Sequence, residues 1–177
     1  MGRWRNFAAV RVRSDNALVT RLHQIQTAVQ LRAEEIASAH GDWPCRKGCD
    51  DCCRHLAAVP RVAGPEWDLI AAALELLPGN VADLARQRIK DSESATRPVI
   101  CPLLDREAGT CLVYDSRPVV CRAYGFYAER QYVLGCSRIE SVGQEAPDVV
   151  WGNHAAVEEE LRSLGPAAEL WQWLARR

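Results

Sequence analysis

The sequence predicts a mainly α protein: a small helical domain in which cysteine-rich loops come together at one site. Apolar residues recur at helical spacing in several segments, and eight cysteines lie in two regions between those segments. The 177 residues suffice for a domain with its own core, and 48% hydrophobic with 25% charged residues is ordinary for a globular protein. We therefore expect a single domain, residues 1–177, without internal repeats.

A long helix is predicted near the N-terminus, over residues 14–40. Ser14 or Asn16 could cap its first turn, and Gly41 follows its end. Apolar residues spaced by three and four positions predict one apolar helix face, made of Leu18, Leu22, Ile25, Val29, Ala33 and Ile36.

Two more helices are predicted between the cysteine regions. The stretch GPEWDLIAAALELLPG has Pro65 in its first turn and ends at a Pro-Gly pair, which stops a helix. The next stretch, NVADLARQRIKDSES, begins with Asn80 as a candidate cap. Its predicted apolar side consists of Val81, Leu84 and Ile89.

The second cysteine region predicts a hairpin and a short helix. The turn residues REAGT between CPLLD and CLVY predict a short β-hairpin. Asp115 or Ser116 could cap a short helix that presents Cys121, with Pro118 tolerated in its first turn.

The last segment, residues 153–176, predicts two helices separated at Gly165-Pro166. We expect the apolar residues of the second helix, Trp171, Trp173 and Leu174, to pack on the protein's own core.

Charge and hydropathy argue against several classes of protein. The formal net charge is −1, whereas nucleic-acid binders usually carry a basic excess. No apolar run is long enough to cross a bilayer, and the start, MGRWRNFAAVRVRSD, lacks the apolar core of a signal peptide. We therefore expect a cytoplasmic protein without a nucleic-acid or membrane partner. In the cytosol, clustered cysteines are more often metal ligands or redox groups than disulfides.

The cysteines are the candidate site residues. The stretch CRKGCDDCCRH holds four of them in nine positions. Cysteines separated by two or three residues can turn their sulfurs toward one metal ion, at about 2.3 Å in tetrahedral geometry. The spacing predicts that the loops converge on a metal site, with its core in residues 45–136. The candidate ligands are Cys45, Cys49, Cys52, Cys53, Cys101, Cys111, Cys121 and Cys136.

The adjacent pair Cys52 and Cys53 needs a separate interpretation. Neighbouring side chains tend to point in different directions, so this pair either bridges two sites or leaves one thiol free for chemistry. Eight thiols suffice for two four-thiolate sites, or for one metal cluster plus spare thiols. Buried inert thiols, a disulfide framework and a thiol redox sensor remain alternatives.

Other residues near the cysteines have modest expected roles. Cationic neighbours would offset thiolate charge and lower thiol pKa values. His40 and His55 are either additional ligands or ordinary polar residues. We expect Arg117 to lock its loop, and Tyr114 and Tyr124 to pack around the site. The candidate cationic neighbours are Arg46, Lys47, Arg54, Arg106, Arg117 and Arg122.

Together, CRKGCDDCC, the following VP…PEW and CPLLD…CLVYDSRPVVCRAY resemble the CxxCxxCC, or YkgJ-type, cysteine-cluster proteins. These are described as zinc- or iron-chelating domains. The resemblance covers about half the chain, from Cys45 to Cys136. Three residues rather than two separate Cys45 from Cys49, which departs from the family's nominal pattern.

The resemblance implies metal binding with the eight cysteines as ligands. We expect a protein that holds an iron–sulfur cluster or Zn²⁺ and acts in metal handling or as an accessory to a partner protein. An iron–sulfur cluster is slightly favoured, because eight thiols exceed what one structural zinc needs. The alternatives are an iron–sulfur-dependent redox or group-transfer enzyme and a thiol redox switch.

Overall fold

The computed structural model describes residues 15–146 and 148–176, so the candidate cap Ser14 and the basic start of the chain lie outside it. In this part of the chain the protein is mainly α with small two- and three-stranded sheets, as the sequence predicts. The helices are α1 Asn16–Ala39, α2 Asp51–Arg54, α3 Gly64–Glu75, α4 Gly79–Asp91, α5 Val119–Ala123, α6 Ser137–Glu145, α7 His154–Arg162 and α8 Leu170–Ala175. The strands are β1 Leu104–Asp105, β2 Thr110–Cys111, β3 Tyr127–Glu129, β4 Tyr132–Val133 and β5 Gly152–Asn153.

Helix α1 has the predicted apolar face, but its cap differs from the expectation. Asp15 lies just before the helix, and its Oδ1 accepts the Ala17 N–H at 2.9 Å. Asn16 is therefore the first helical residue rather than the cap. The residues buried along this face are Leu22, Ile25, Val29, Ala33 and Ile36.

Helix α3 confirms its prediction, with Pro65 in its first turn. Helix α4 begins earlier than expected, at Gly79 directly after Pro78, so the prediction of Asn80 as a cap is wrong. Its predicted apolar side is also partly wrong, because Leu84 is 51% exposed. The buried face consists of Ala82, Ala85 and Ile89 and packs against α3 and α8, where small side chains allow close approach.

Two small sheets lie between the helices. The predicted hairpin is confirmed: β1 and β2 pair antiparallel, with Leu104 opposite Cys111. The second sheet, in the order β4-β3-β5, was not predicted. Strand β3 pairs antiparallel with β4 and parallel with β5, with Tyr127 opposite Gly152. These strands have two or three residues each, which is too short for a visible alternation in the sequence.

Helix α5 presents Cys121, but neither Asp115 nor Ser116 caps it. Both residues belong to a 3₁₀ turn, Tyr114–Ser116, and Pro118 directly precedes α5. The Val119 N–H at the start of the helix is instead bound by a distant carboxylate, described below.

The C-terminal part contains the two predicted helices. Asn153 caps α7 by accepting the Ala156 N–H at 3.2 Å. Between α7 and α8, Ala168 pairs antiparallel with Val62 through backbone hydrogen bonds of 3.0 and 2.9 Å. Three residues of α8 pack on the core as expected: Trp171, Trp173 and Leu174.

The buried apolar residues form three clusters, and cysteines lie against two of them. Cys101 and Cys111 pack against the cluster around α3 and α4. Cys45 and Cys136 pack against a second cluster that contains Trp43 and Ile139. No helix within the described ranges combines the length and the apolar character needed to span a membrane.

Candidate metal centre

The first cysteine loop is fixed by hydrogen bonds to the hairpin. Helix α2 carries Cys52 and Cys53. At its end, Arg54 forms a 2.6 Å ion pair with Asp50 and donates Nη2 to the Arg106 carbonyl at 3.0 Å. Arg54 therefore links the loop to the turn of the β1–β2 hairpin.

Backbone hydrogen bonds join the two cysteine regions directly. Leu56 and Val99 pair antiparallel, with N–H to O=C distances of 3.0 and 2.8 Å. Two residues further along, the Cys101 N–H donates to the Cys53 carbonyl at 2.7 Å. The fold thus holds two segments almost fifty positions apart in register at the cysteines.

The segment after Cys121 makes room for the first and last cysteines. Gly125 has φ +87°, and a Cβ at this position would overlap the Cys45 sulfur. The Trp43 Nε1 donates to the Gly125 carbonyl at 3.1 Å. The Tyr124 hydroxyl donates to the Gly135 carbonyl at 2.9 Å, one residue before Cys136. Tyr124 and Gly125 therefore position two candidate ligands.

The eight cysteines are free thiols, all partly buried, and their interactions link them into one network. We call Cys45, Cys49 and Cys136 the outer group, because Cys45 interacts electrostatically with the other two. The inner group is linked through Cys53 and Cys121 and consists of Cys53, Cys101, Cys111 and Cys121. Cys52 interacts with both groups: with Cys45 in the outer group, and with Cys53 and Cys121 in the inner group.

Burial and crowding raise the pKa values of five of the thiols, those of Cys45, Cys52, Cys53, Cys111 and Cys121. Burial, followed by the charges of Cys49 and Cys136, raises the pKa of Cys45 to about 12. Hydrogen-bond contact with Cys101 raises the pKa of Cys53 to about 12. The pKa of Cys52 is raised by contact with Cys53, and burial raises the pKa values of Cys111 and Cys121.

The expectation that cationic neighbours lower the thiol pKa values is confirmed for Arg117, but the net shift of these pKa values is upward. Arg138 does lower the pKa of Cys45, and Arg117 lowers those of Cys111 and Cys121, but burial outweighs both. The network consequently favours neutral thiols until a cation binds, since a bound metal ion stabilises the thiolate form.

The donor set fits a thiophilic metal in its chemistry. Soft thiolates select zinc, copper(I) or iron–sulfur clusters. Within residues 15–146 and 148–176, no three His, Cys, Asp or Glu side chains already surround a common point in coordination geometry. A cysteine sulfur moves by rotation about the Cα–Cβ bond, so the direction of each thiol also depends on its χ1 rotamer.

A cavity of about 260 Å³ lies beside the outer group. Four thiols line it: Cys45, Cys49, Cys52 and Cys121. The cations Arg46, Lys47, Arg117 and Arg122 also line it, together with Tyr114, Tyr124 and Phe126. The site is therefore accessible from a concave surface that carries positive charge.

Two basic residues of the cavity wall lock their loop, which confirms the structural role expected for Arg117. Its Nε donates to the Tyr114 carbonyl at 3.0 Å, and its guanidinium lies 3.7 Å from the centre of the Tyr114 ring. Arg122 donates Nε to the Arg117 carbonyl at 3.2 Å and Nη2 to the Asp115 carbonyl.

The two histidines have the ordinary surroundings of polar residues. His55 is exposed, with its Nδ1 3.0 Å from the Asp51 carbonyl. The His40 ring lies 5.7 Å from that of Trp43.

Sequence reasoning missed two other residues of the site, Glu66 and Arg138. Their contacts arise only when distant segments pack together.

The carboxylate of Glu66 connects the start of α3 to the helix that carries Cys121. Its Oε2 accepts the Ala63 N–H at 2.9 Å, and its Oε1 accepts the Val119 N–H at 2.9 Å. Glu66 is 4% exposed, so these two backbone groups have no ready replacement from water.

Comparison with known proteins agrees with the arrangement of cysteines. The model of the CxxCxxCC family, described as "Putative zinc- or iron-chelating domain", matches residues 44–143. That span is more than half of the chain and contains all eight cysteines. Neither the curated proteins nor the solved structures give a match. The matched span and its cysteines show that the chain belongs to the CxxCxxCC family.

Proposed function

We propose that the protein binds metal through its eight cysteines, in two neighbouring centres that meet at Cys52 and Cys53. The metal would be an iron–sulfur cluster or zinc, and the role would be metal handling or support of a partner protein. The observation that carries this proposal is the position of Cys52, whose thiol interacts with Cys45 on one side and with Cys53 and Cys121 on the other. An adjacent pair placed between two sets of thiols can supply one ligand to each set.

The number of thiols supports two centres. The outer group together with Cys52 provides four sulfurs, and the inner group provides four more. Four thiolates are the usual ligand set for structural zinc and for the common iron–sulfur clusters. When bound, such a metal would supply folding free energy, and an iron–sulfur cluster would add one-electron chemistry.

The protein's own residues would hold the ligands in place. Tyr124 and Gly125 fix the backbone around Cys136 and Cys45, and the Cys101–Cys53 backbone hydrogen bond fixes the inner group. Arg117 and Arg138 would offset part of the negative charge of the thiolates. We favour an iron–sulfur cluster slightly, because the ligand set is all sulfur and exceeds the needs of one zinc.

Two further candidate functions each have one supporting observation. The cavity beside the outer group favours an iron–sulfur-dependent redox or group-transfer enzyme, because a substrate could approach the thiols there. The contact between the thiols of Cys53 and Cys101 favours a redox switch, because such a pair could form a reversible disulfide.

Protein purified without oxygen would test the proposal by elemental analysis for iron and zinc, sulfide content and visible absorption. Equal iron and sulfide with a brown colour would support an iron–sulfur protein. One or two zinc ions per colourless chain would support a zinc protein. A folded chain that lacks both metals and forms reversible disulfides would contradict metal binding and favour the redox switch.

A further inference from the structure

The cavity beside the outer group concentrates positive charge on a chain whose formal net charge is −1. Its four cations are Arg46, Lys47, Arg117 and Arg122. Within the described ranges, none of the four forms an ion pair with a carboxylate. Glu34 also lines the cavity, and it accepts a hydrogen bond from Gln30 at 2.9 Å. The lining therefore carries more positive than negative charge.

Two of these cations contact the same aromatic ring. The Lys47 Nζ lies 5.0 Å from the centre of the Tyr114 ring, and the Arg117 guanidinium lies 3.7 Å from it. Two like charges that contact one ring repel each other, and an anion bound to both would reduce that repulsion. The hydrogen bond from Arg117 Nε to the Tyr114 carbonyl fixes the orientation of the guanidinium. Its Nη groups could then form a bidentate interaction with a carboxylate.

The volume and the lining indicate an organic anion. A cavity of about 260 Å³ is larger than a single inorganic ion requires and lies just below the range of about 300–1,000 Å³ for small-molecule pockets. Besides the cations, Tyr124, Phe126 and Ala33 line it, and these side chains can contact a carbon skeleton.

We propose that this cavity binds a small organic polycarboxylate, which carries metal to the outer group as an anionic chelate. The first part of this proposal, carboxylate binding, depends only on the lining of the cavity. The second part, metal delivery, rests on the proposed function. A free divalent cation would meet repulsion at this entrance, whereas a negatively charged chelate would be attracted.

The exchange needs no electron transfer. Each metal–oxygen bond to the chelator that breaks is replaced by a metal–sulfur bond to a cysteine. Each thiol that binds releases its proton to the departing carboxylate or to water. For zinc the exchange favours binding to the cysteines, because thiolates are softer ligands than carboxylates.

The same cations could instead only neutralise a thiolate-bound metal. Arg117 is suited to that role, because it interacts electrostatically with Cys111 and Cys121. Arg46 and Lys47 are exposed at the cavity, where a ligand from solution would meet them first. Anion binding to metal-free protein separates the two roles, since neutralisation requires the metal.

The chain offers a matched pair for the test, because its two lysines are Lys47 in the cavity and Lys90 on the exposed side of α4. Metal-free, reduced protein would be titrated with citrate by calorimetry. We expect saturable binding that Lys47→Gln weakens at least tenfold and Lys90→Gln leaves unchanged. In a lysine-acylation experiment read by mass spectrometry, citrate should protect Lys47 and not Lys90. Equal protection of both lysines, or of neither, would overturn the proposal, as would equally tight binding of inorganic phosphate.

Delivery would be followed as the rate at which zinc moves to the protein from zinc citrate or from zinc in a non-coordinating buffer. We expect Lys47→Gln to slow the transfer from citrate at least tenfold and not to slow the uptake of free zinc, since the loss of a positive charge reduces the repulsion of a free cation. Equal slowing of both would overturn delivery by a chelate. Failure to take up zinc or iron from any source would count against the proposed function, while citrate protection of Lys47 would still support the anion site.

Discussion

The Glu66 carboxylate accepts the Val119 N–H at 2.9 Å across 53 positions of sequence, and so joins the start of α3 to the helix that presents Cys121. Its other oxygen accepts the Ala63 N–H, so both oxygens are used as acceptors. In a glutamine, an NH₂ group replaces one of these two oxygens, and this NH₂ group would face a backbone N–H donor instead of accepting from it. We expect Glu66→Gln to lower the free energy of unfolding at pH 7 by about 1–3 kcal/mol in urea denaturation. Glu107→Gln, an exposed change in the hairpin turn, is the matched control and should have little effect.

The contribution of Glu66 should also depend on pH. Burial raises its pKa above the ordinary value of 4.5, and the two backbone N–H groups lower the pKa by less. A raised folded-state pKa means that the stabilising contribution is complete below the unfolded pKa and declines as pH rises through the folded pKa. The difference in unfolding free energy between wild type and Glu66→Gln should therefore narrow from pH 4.5 upward. A difference that widens with pH would show that burial does not dominate.

Gly125→Ala should disturb the outer group. Alanine at φ +87° is strained by about 1–2 kcal/mol, and its Cβ would overlap the Cys45 sulfur. We expect a loss of stability larger than the strain alone, together with a loss of metal from the outer group. Gly165→Ala is the control, because Gly165 has φ +105° with nothing within 4 Å of its Cβ position. Equal effects of the two changes would mean that the contact with Cys45 is unimportant.

Tyr124→Phe should weaken metal binding with little change in fold. The hydroxyl of Tyr124 holds the Gly135 carbonyl next to Cys136, and loss of a residue that orients a ligand typically costs about 10- to 100-fold in metal affinity. We expect about a tenfold faster transfer of metal to a competing chelator. Tyr132→Phe, at a residue that is 68% exposed, should match wild type.

Serine substitutions should separate the two proposed centres. Cys49→Ser removes a thiol of the outer group and Cys111→Ser one of the inner group, so each should lose about half of the bound metal. Cys52→Ser should likewise lose the outer centre and keep the inner one, because Cys52 completes the four sulfurs of the outer centre. Metal content per folded chain is the measurement, and His55→Ala should retain full content. Complete loss of metal in all three cysteine variants would indicate one shared cluster instead.

The helices could be predicted because their signals are local. The apolar spacing of α1 and Pro65 in α3 each act within a few residues, and the structure agrees with both. The hairpin followed from its turn residues. The buried side of α4 could not be predicted from hydrophobicity alone, because contact with α8 selects Ala82 and Ala85 and leaves Leu84 exposed.

The positions of the cysteines in sequence identified the region of the site but not its arrangement. The division into outer and inner groups depends on the Leu56–Val99 pairing and on Gly125, and both involve distant segments. Helix α6 and the strands β3–β5 were missed because each of them is short. Glu66 looks in sequence like an ordinary first-turn acid of α3, and only the folded chain brings it to Val119.

The shared peptide bond between Cys52 and Cys53 has a consequence for how the two proposed centres would fill. A metal bound through Cys52 would further restrict the motion of α2, the short helix that also carries Cys53. The first binding event would bear the entropy cost of restricting this helix and its thiols, and the second would bear less of it. Loading should therefore be cooperative, with fully loaded and metal-free chains more abundant than half-loaded ones in native mass spectrometry.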